Sequence, residues 1–170
     1  MKIAKIPHAV REGRVAAAWV QGLLSFVPWN VRRGFSSFLT MEFGEERLEE
    51  HRGKTYVHGE WHLWLQHCAW RIQEGGRIVT TSEEKDAIID RALRRLKFGP
   101  VVEANVASST LDLFLKFESD IRLLTFTSHK YGYDQWDLFR PDGQVLTAHA
   151  GGVLIEEAAD GRPFQSDQSI

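Results

Sequence analysis

Hydrophobic and polar positions recur along this chain with two periods, and the change between them divides it. From Thr81 to Leu96 the apolar residues Ile88, Ile89, Ala92, Leu93 and Leu96 fall on one helical face. Thr81-Ser-Glu-Glu84 has capping-box spacing ahead of them and Gly99-Pro100 stands behind, so a helix over 81–97 is predicted. Beyond it the period becomes two. Val101–Ala107, Leu111–Phe117, Ile121–Thr127, Gln135–Phe139 and Gln144–His149 read as short strands. Ser108-Ser-Thr110, Glu118-Ser-Asp120, the 128–134 segment and Pro141-Asp-Gly143 separate them with turn chemistry, which predicts hairpins and an antiparallel meander.

The first half is patterned less regularly. Val15, Trp19, Leu23 and Phe26, with Val20, Leu24 and Val27 beside them, predict an amphipathic helix over 14–27 that Pro28 ends. Phe35–Gly44 reads as a strand with Leu39, Met41 and Phe43 on one side and Phe38, Thr40 and Glu42 on the other. Gly44–Lys54 is a charged excursion, read as a solvent-exposed loop or short helical turn. Gly59–Gln73, GEWHLWLQHCAWRIQ, is apolar on both faces at strand period: Trp61, Leu63, Leu65, His67 and Ala69 on one, His62, Trp64, Gln66, Cys68 and Trp70 on the other. Large aromatics suit a pleated sheet better than a helix, so this is expected to be one long central strand covered on both sides. Glu74-Gly-Gly76 then makes a turn into a short strand at 77–80.

There is an internal echo. Phe38-Leu-Thr-Met-Glu-Phe-Gly44 resembles Leu113-Phe-Leu-Lys-Phe-Glu118, and each is followed at a distance by an acid-then-Trp strand, Glu60-Trp61 and Asp134-Gln-Trp136. Similar demands on sheet strands would produce the same pattern without a duplication. The expected fold is α+β: one domain over 1–156, a curved antiparallel sheet or partly closed barrel of about seven to eight strands with one or two packed helices, then a polar tail at 157–170.

Composition narrows the function classes. The 170 residues are 43% hydrophobic and 11% aromatic, ample for a core. A net charge of −2 gives no electrostatic reason to expect nucleic acid or an anionic membrane. A single cysteine forms no internal disulfide, which suits a reducing cytoplasm. Lys2, Lys5, Arg11 and Arg14 ahead of Val15–Val27 imitate a signal peptide, but that apolar run of about thirteen residues is short of the roughly twenty that span a bilayer and ends without a small-residue cleavage site. A cytoplasmic location is expected.

Catalytic grammar is sparse. His58, His62, His67 and Cys68 lie close in sequence, yet no His-x-His or Cys-x-x-Cys pair exists and no metal is expected. Cys68 between flanking tryptophans reads as a small core residue and not as a nucleophile. Neither a Gly-x-Ser-x-Gly elbow nor a phosphate-binding glycine loop is present, so no catalytic residue and no cofactor is assigned. Ser128-His-Lys-Tyr-Gly-Tyr-Asp134 is different: it places His129, Tyr131, Tyr133 and Asp134 in one connection, and rigid amphipathic aromatics on loops make recognition surfaces. Trp29, beside Arg32 and Arg33, is a second patch.

The succession Leu111 to Phe117, Ile121 to Phe126 and Trp136 to Gly143, about a fifth of the chain, resembles small uncharacterised bacterial proteins with a layout similar to immunity proteins that neutralise polymorphic toxins. That resemblance implies a non-catalytic bacterial protein that works by binding another protein. It carries over no site residue. Two other readings stand beside it: a small-molecule-binding or enzymatic barrel whose pocket is lined by Trp61, His62, Trp64, Gln66 and His67, and a homodimer whose exposed tryptophans are self-contacts.

Overall fold

A computed structural model describes residues 8–51 and 53–159. In chain order, α1 (His8–Val20) runs into a short 3-10 turn (Gln21–Leu23). Strands β1 (Trp29–Arg33), β2 (Leu39–His51), β3 (Lys54–Leu65), β4 (Cys68–Glu74) and β5 (Arg77–Thr81) follow. Then come α2 (Asp86–Arg95), β6 (Val101–Val106), β7 (Leu113–Phe117), β8 (Ile121–Thr127), β9 (Asp134–Phe139), β10 (Gln144–His149) and β11 (Val153–Ala158). One sheet has the order β1-β2-β3-β9-β10-β11, the other β5-β4-β8-β7-β6, with antiparallel neighbours throughout. Leu39, Met41, Phe43, Leu63, Leu65, Trp136 and Leu138 of the first sheet share one core with Trp70, Ile72, Leu113, Leu115, Phe117 and Leu123 of the second. The fold is α+β and antiparallel, with two sheets of six and five strands where one curved sheet or partly closed barrel of about seven to eight strands was expected.

The reason lies in Gly59–Gln73, which is not one strand. The chain leaves the first sheet after Leu65 and enters the second at Cys68, so Gln66 and His67 form a crossing. Two residues outside either strand shift the alternation. Trp61, Leu63 and Leu65 point to the core in β3, whereas Cys68, Trp70 and Ile72 do so in β4. Both faces of the stretch are apolar because each half supplies the core from a different parity.

Two halves of the chain repeat one plan. A helix precedes five strands in each: α1 with β1–β5, α2 with β6–β10. Exchanging β1–β5 for β6–β10 converts the order of the first sheet into that of the second, read from its β6 edge, with β11 as an addition. Each half thus gives three strands to one sheet and two to the other. The sequence carries matching marks. Leu24-Ser-Phe26-Val-Pro28 and Leu96-Lys-Phe98-Gly-Pro100 lead into β1 and β6. Trp70-Arg-Ile72 and Trp136-Asp-Leu138 lie in β4 and β9, and Gly76-Arg-Ile78 and Gly143-Gln-Val145 lead into β5 and β10. Trp70 Nε1 donates to the Ser37 carbonyl at 2.6 Å and Trp136 Nε1 to the Leu111 carbonyl at 2.8 Å, each acceptor standing just ahead of β2 or β7. The echo between Phe38–Gly44 and Leu113–Glu118 therefore joins true counterparts. The pairing of Trp61 with Trp136 does not: β3 corresponds to β8, and the counterpart of Trp136 is Trp70.

Other expectations are corrected locally. The 81–97 helix begins only at Asp86, because Ser82 extends the β5–β4 ladder: its N–H donates to the Trp70 carbonyl at 2.8 Å and its hydroxyl accepts from the Trp70 N–H at 3.1 Å. The cap spacing of Thr81–Glu84 is thereby spent on a turn. The 14–27 helix lies earlier, at 8–20; Ser25 has a left-handed φ of 71° and Leu24 and Val27 are exposed. Trp29–Arg33, read only as a patch, is a strand, and the charged segment from Gly44 is no loop: β2 runs on to His51 and β3 returns from Lys54, the two continuing as a two-stranded ribbon. Gly44 (φ +77°) and Gly59 sit where the ribbon leaves the sheet at a bulge, and a Cβ on Gly59 would lie 2.4 Å from the Phe43 carbonyl. At the far end β11 pairs with β10 as far as Ala158, so the tail expected from 157 starts within a strand; residues 160–170 lie outside the described residues.

Candidate functional site

Two chain passages between the sheets run side by side. One is Gln66-His67; the other is the loop 128–133 between β8 and β9. The first half makes its crossing in two residues and the second in six, so the loop's extra length is not required by the fold. Backbone bonds hold the passages together: Gln66 N–H donates to Gln135 O at 2.8 Å and His67 N–H to Asp134 O at 3.1 Å. Beneath them the fully buried Gln135 donates from Nε2 to the carbonyls of Thr110 and His149, both at 3.1 Å, while Thr127 Oγ1 donates within a cluster formed by Asp112 and Gln135. The loop is presented from a rigid, hydrogen-bonded base.

On that base the rings form a chain. Phe35 meets Phe38 edge-on at 6.4 Å, and Phe38 meets Trp64 at 6.0 Å and His67 at 5.1 Å. His67 contacts Tyr133 at 5.1 Å, and Tyr133 lies against His129 at 4.2 Å. Such offset and edge-to-face contacts hold rings in place without covering them. Phe35, Tyr133 and Tyr131 remain 62%, 46% and 73% exposed. His149 Nδ1 stands 2.6 Å from Asp134 Oδ1, a polar pair beside the ridge. The result is an exposed apolar and aromatic surface with hydroxyl and imidazole groups at one end.

Of the residues expected from the loop, His129, Tyr133 and Asp134 sit on this ridge and its polar flank, with Tyr131 fully projecting. Trp29 does not join them; its Nε1 donates to Gly44 O at 3.0 Å, at the edge of the first sheet. The five residues of the expected pocket are divided. Trp61 points to the core, where its ring lies so close to Gly22 that a Cβ there would approach within 2.4 Å. His62 and Trp64 point outward from the first sheet, Gln66 is at the crossing, and His67 belongs to the ridge. Phe35, Phe38 and His149 complete the surface and were not singled out from the sequence. The Phe35-Ser-Ser-Phe38 spacing places two phenylalanines around a turn, and that is the one signal that marks them.

Two buried polar pairs lie near the expected pocket. His62 Nδ1 is 2.7 Å from Glu42 Oε1, and the other Glu42 oxygen accepts from Gly59 N–H at 2.9 Å. Gln66 Nε2 donates to Asp137 Oδ2 at 2.6 Å. Cys68 donates to Gln135 O at 3.2 Å, and burial, then the charge of Asp112, pushes its thiol up to about 12. It stays a thiol at neutral pH and offers no nucleophile. Among the described residues no three His, Cys, Asp or Glu side chains converge as a metal site, and no helix is long and apolar enough to cross a membrane. The chain matches no protein-family model, no curated protein and no solved structure.

Proposed function

We propose that this protein is a non-catalytic binding module that engages another protein through the ridge of Phe35, Phe38, His67, Tyr133 and His129, with Tyr131 as a projecting anchor. The observation that carries this is the ring chain itself, which stays open to solvent on a loop longer than the fold requires. Aromatic anchors that need little ordering on binding are what protein interfaces enrich. Asp134 and His149 flank the apolar centre as a polar rim. The resemblance to immunity proteins makes a bacterial toxin enzyme one candidate partner, met in the cytoplasm. Against the small-molecule reading, His62 Nδ1 and Gln66 Nε2 are engaged by Glu42 and Asp137.

The test is affinity capture with the wild type, a Tyr131→Ala/Tyr133→Ala variant and an Ile78→Ser control on the remote β5 edge. A stoichiometric partner held by wild type and control but lost by the tyrosine variant is expected. A partner retained by the tyrosine variant moves the surface elsewhere. A dimer in light scattering that the tyrosine variant converts to monomer would instead assign the ridge to self-association.

A further inference from the structure

The two Leu-x-Phe-x-Pro linkers, which occupy equivalent places in the two halves, meet each other. Ser25 N–H donates to Val101 O, and Val101 N–H donates to Phe26 O, both at 2.9 Å. Beside this junction a cavity of about 330 Å³ opens, walled by Trp29, Asn30 and Val31 from one half and by Leu93, Leu96 and Lys97 from the other. The cleft is open to solvent and its wall is mixed, apolar at Trp29, Leu93 and Leu96 and polar at Asn30 and Lys97; ligand sites combine apolar walls with a few polar groups in this way. The Trp29 indole N–H is already committed to Gly44, which fixes the ring in the wall.

Three features distinguish this cavity from a packing gap. The β1–β2 register shifts between Trp29 and Arg32, so Asn30 and Val31 form a bulge. Bulges re-aim side chains, and they gather beside functional sites. Asn30 itself is left-handed (φ 48°), a conformation asparagine adopts more readily than most residues, and it sets the turn of the bulge. Finally, Lys97 is the one ionisable residue among the described lining residues, and no acid stands with it. Arg94 and Arg95 occupy the last turn of α2 and offset the negative pole of that helix end.

We propose that this cavity binds a small amphipathic anion, its apolar body against Trp29, Leu93 and Leu96 and its anionic head on the Lys97 ammonium and the Asn30 amide. The site is separate from the aromatic ridge and does not depend on it.

The experiment uses full-length protein and two fluorescent probes with similar apolar bodies: anionic 1-anilinonaphthalene-8-sulfonate and neutral N-phenyl-1-naphthylamine. Wild type is expected to bind the anionic probe saturably, one per chain, and more weakly as salt is raised. Lys97→Met should weaken the anionic probe about fivefold and leave the neutral one unchanged. Val27→Trp, which fills the rim, should abolish both, and Tyr131→Ala/Tyr133→Ala should alter neither. Lys97 and Val27 are solvent-exposed, so both variants are expected to melt as wild type does. The proposal is overturned by non-saturable binding, by equal loss of both probes in Lys97→Met, by retention in Val27→Trp, or by loss in the tyrosine variant.

Discussion

At the scale of single residues, the two indole hydrogen bonds mark the molecule's plan. Trp70 and Trp136 are both buried, and each ties the entry of a β2-type strand to the strand that faces it across the core. Replacing either by phenylalanine leaves a carbonyl without its donor and removes ring volume. We expect about 1–3 kcal/mol of destabilisation for Trp70→Phe and for Trp136→Phe, similar in the two, from urea unfolding. A large loss from one and none from the other would show that the two halves do not use the indole in the same way. That both tryptophans lie on strands was legible from the aromatic pattern. That Trp64 and Trp70 take opposite faces was not, because strand alternation runs unbroken through Gln66 and His67 in the sequence, whereas the chain bends there.

At the scale of elements, the five strands expected between Val101 and His149 all form, since turns separate them and strands such as Ile121–Thr127 alternate, whereas β11 was not expected. The β2–β3 ribbon was misread because its residues are charged on both faces, and alternation is visible only where one face is buried. Its one apolar cross-strand pair, Leu48 opposite Val57, is 71% and 44% exposed. The matching β7–β8 hairpin lacks such an extension, so the ribbon adds little to the core. Replacing Leu48–Val57 by Asn-Gly joins Arg47 to its partner His58 through a favoured two-residue turn. We expect an unchanged near-UV spectrum and a Tm within about 3 °C of wild type. A larger fall would mean that the ribbon packs on the body and stabilises it.

At the scale of the whole molecule, the halves are interleaved. The first sheet pairs β3 of one half with β9 of the other, and the second pairs β4 with β8. Neither half contains a complete sheet or a complete core. Fragments 1–84 and 85–170 are therefore expected to be unfolded alone by circular dichroism, and the intact chain to unfold in one transition. The dominance of pairings between distant residues also sets refolding in the millisecond-to-second range. A half that folds independently would contradict this architecture. What the sequence determined by itself is local: periods of two and of roughly three and a half, turn chemistry at Pro141-Asp-Gly143, and a core-grade supply of aromatics, which together specify an antiparallel α+β chain. The tertiary structure alone decided where strands change sheets, and with that which face each tryptophan takes. It also brought Phe35 and Phe38 against His67 and Tyr133, and folded two linkers some seventy residues apart around one cavity. Those choices depend on contacts between residues far apart in the chain, and local periodicity carries no information about such distances.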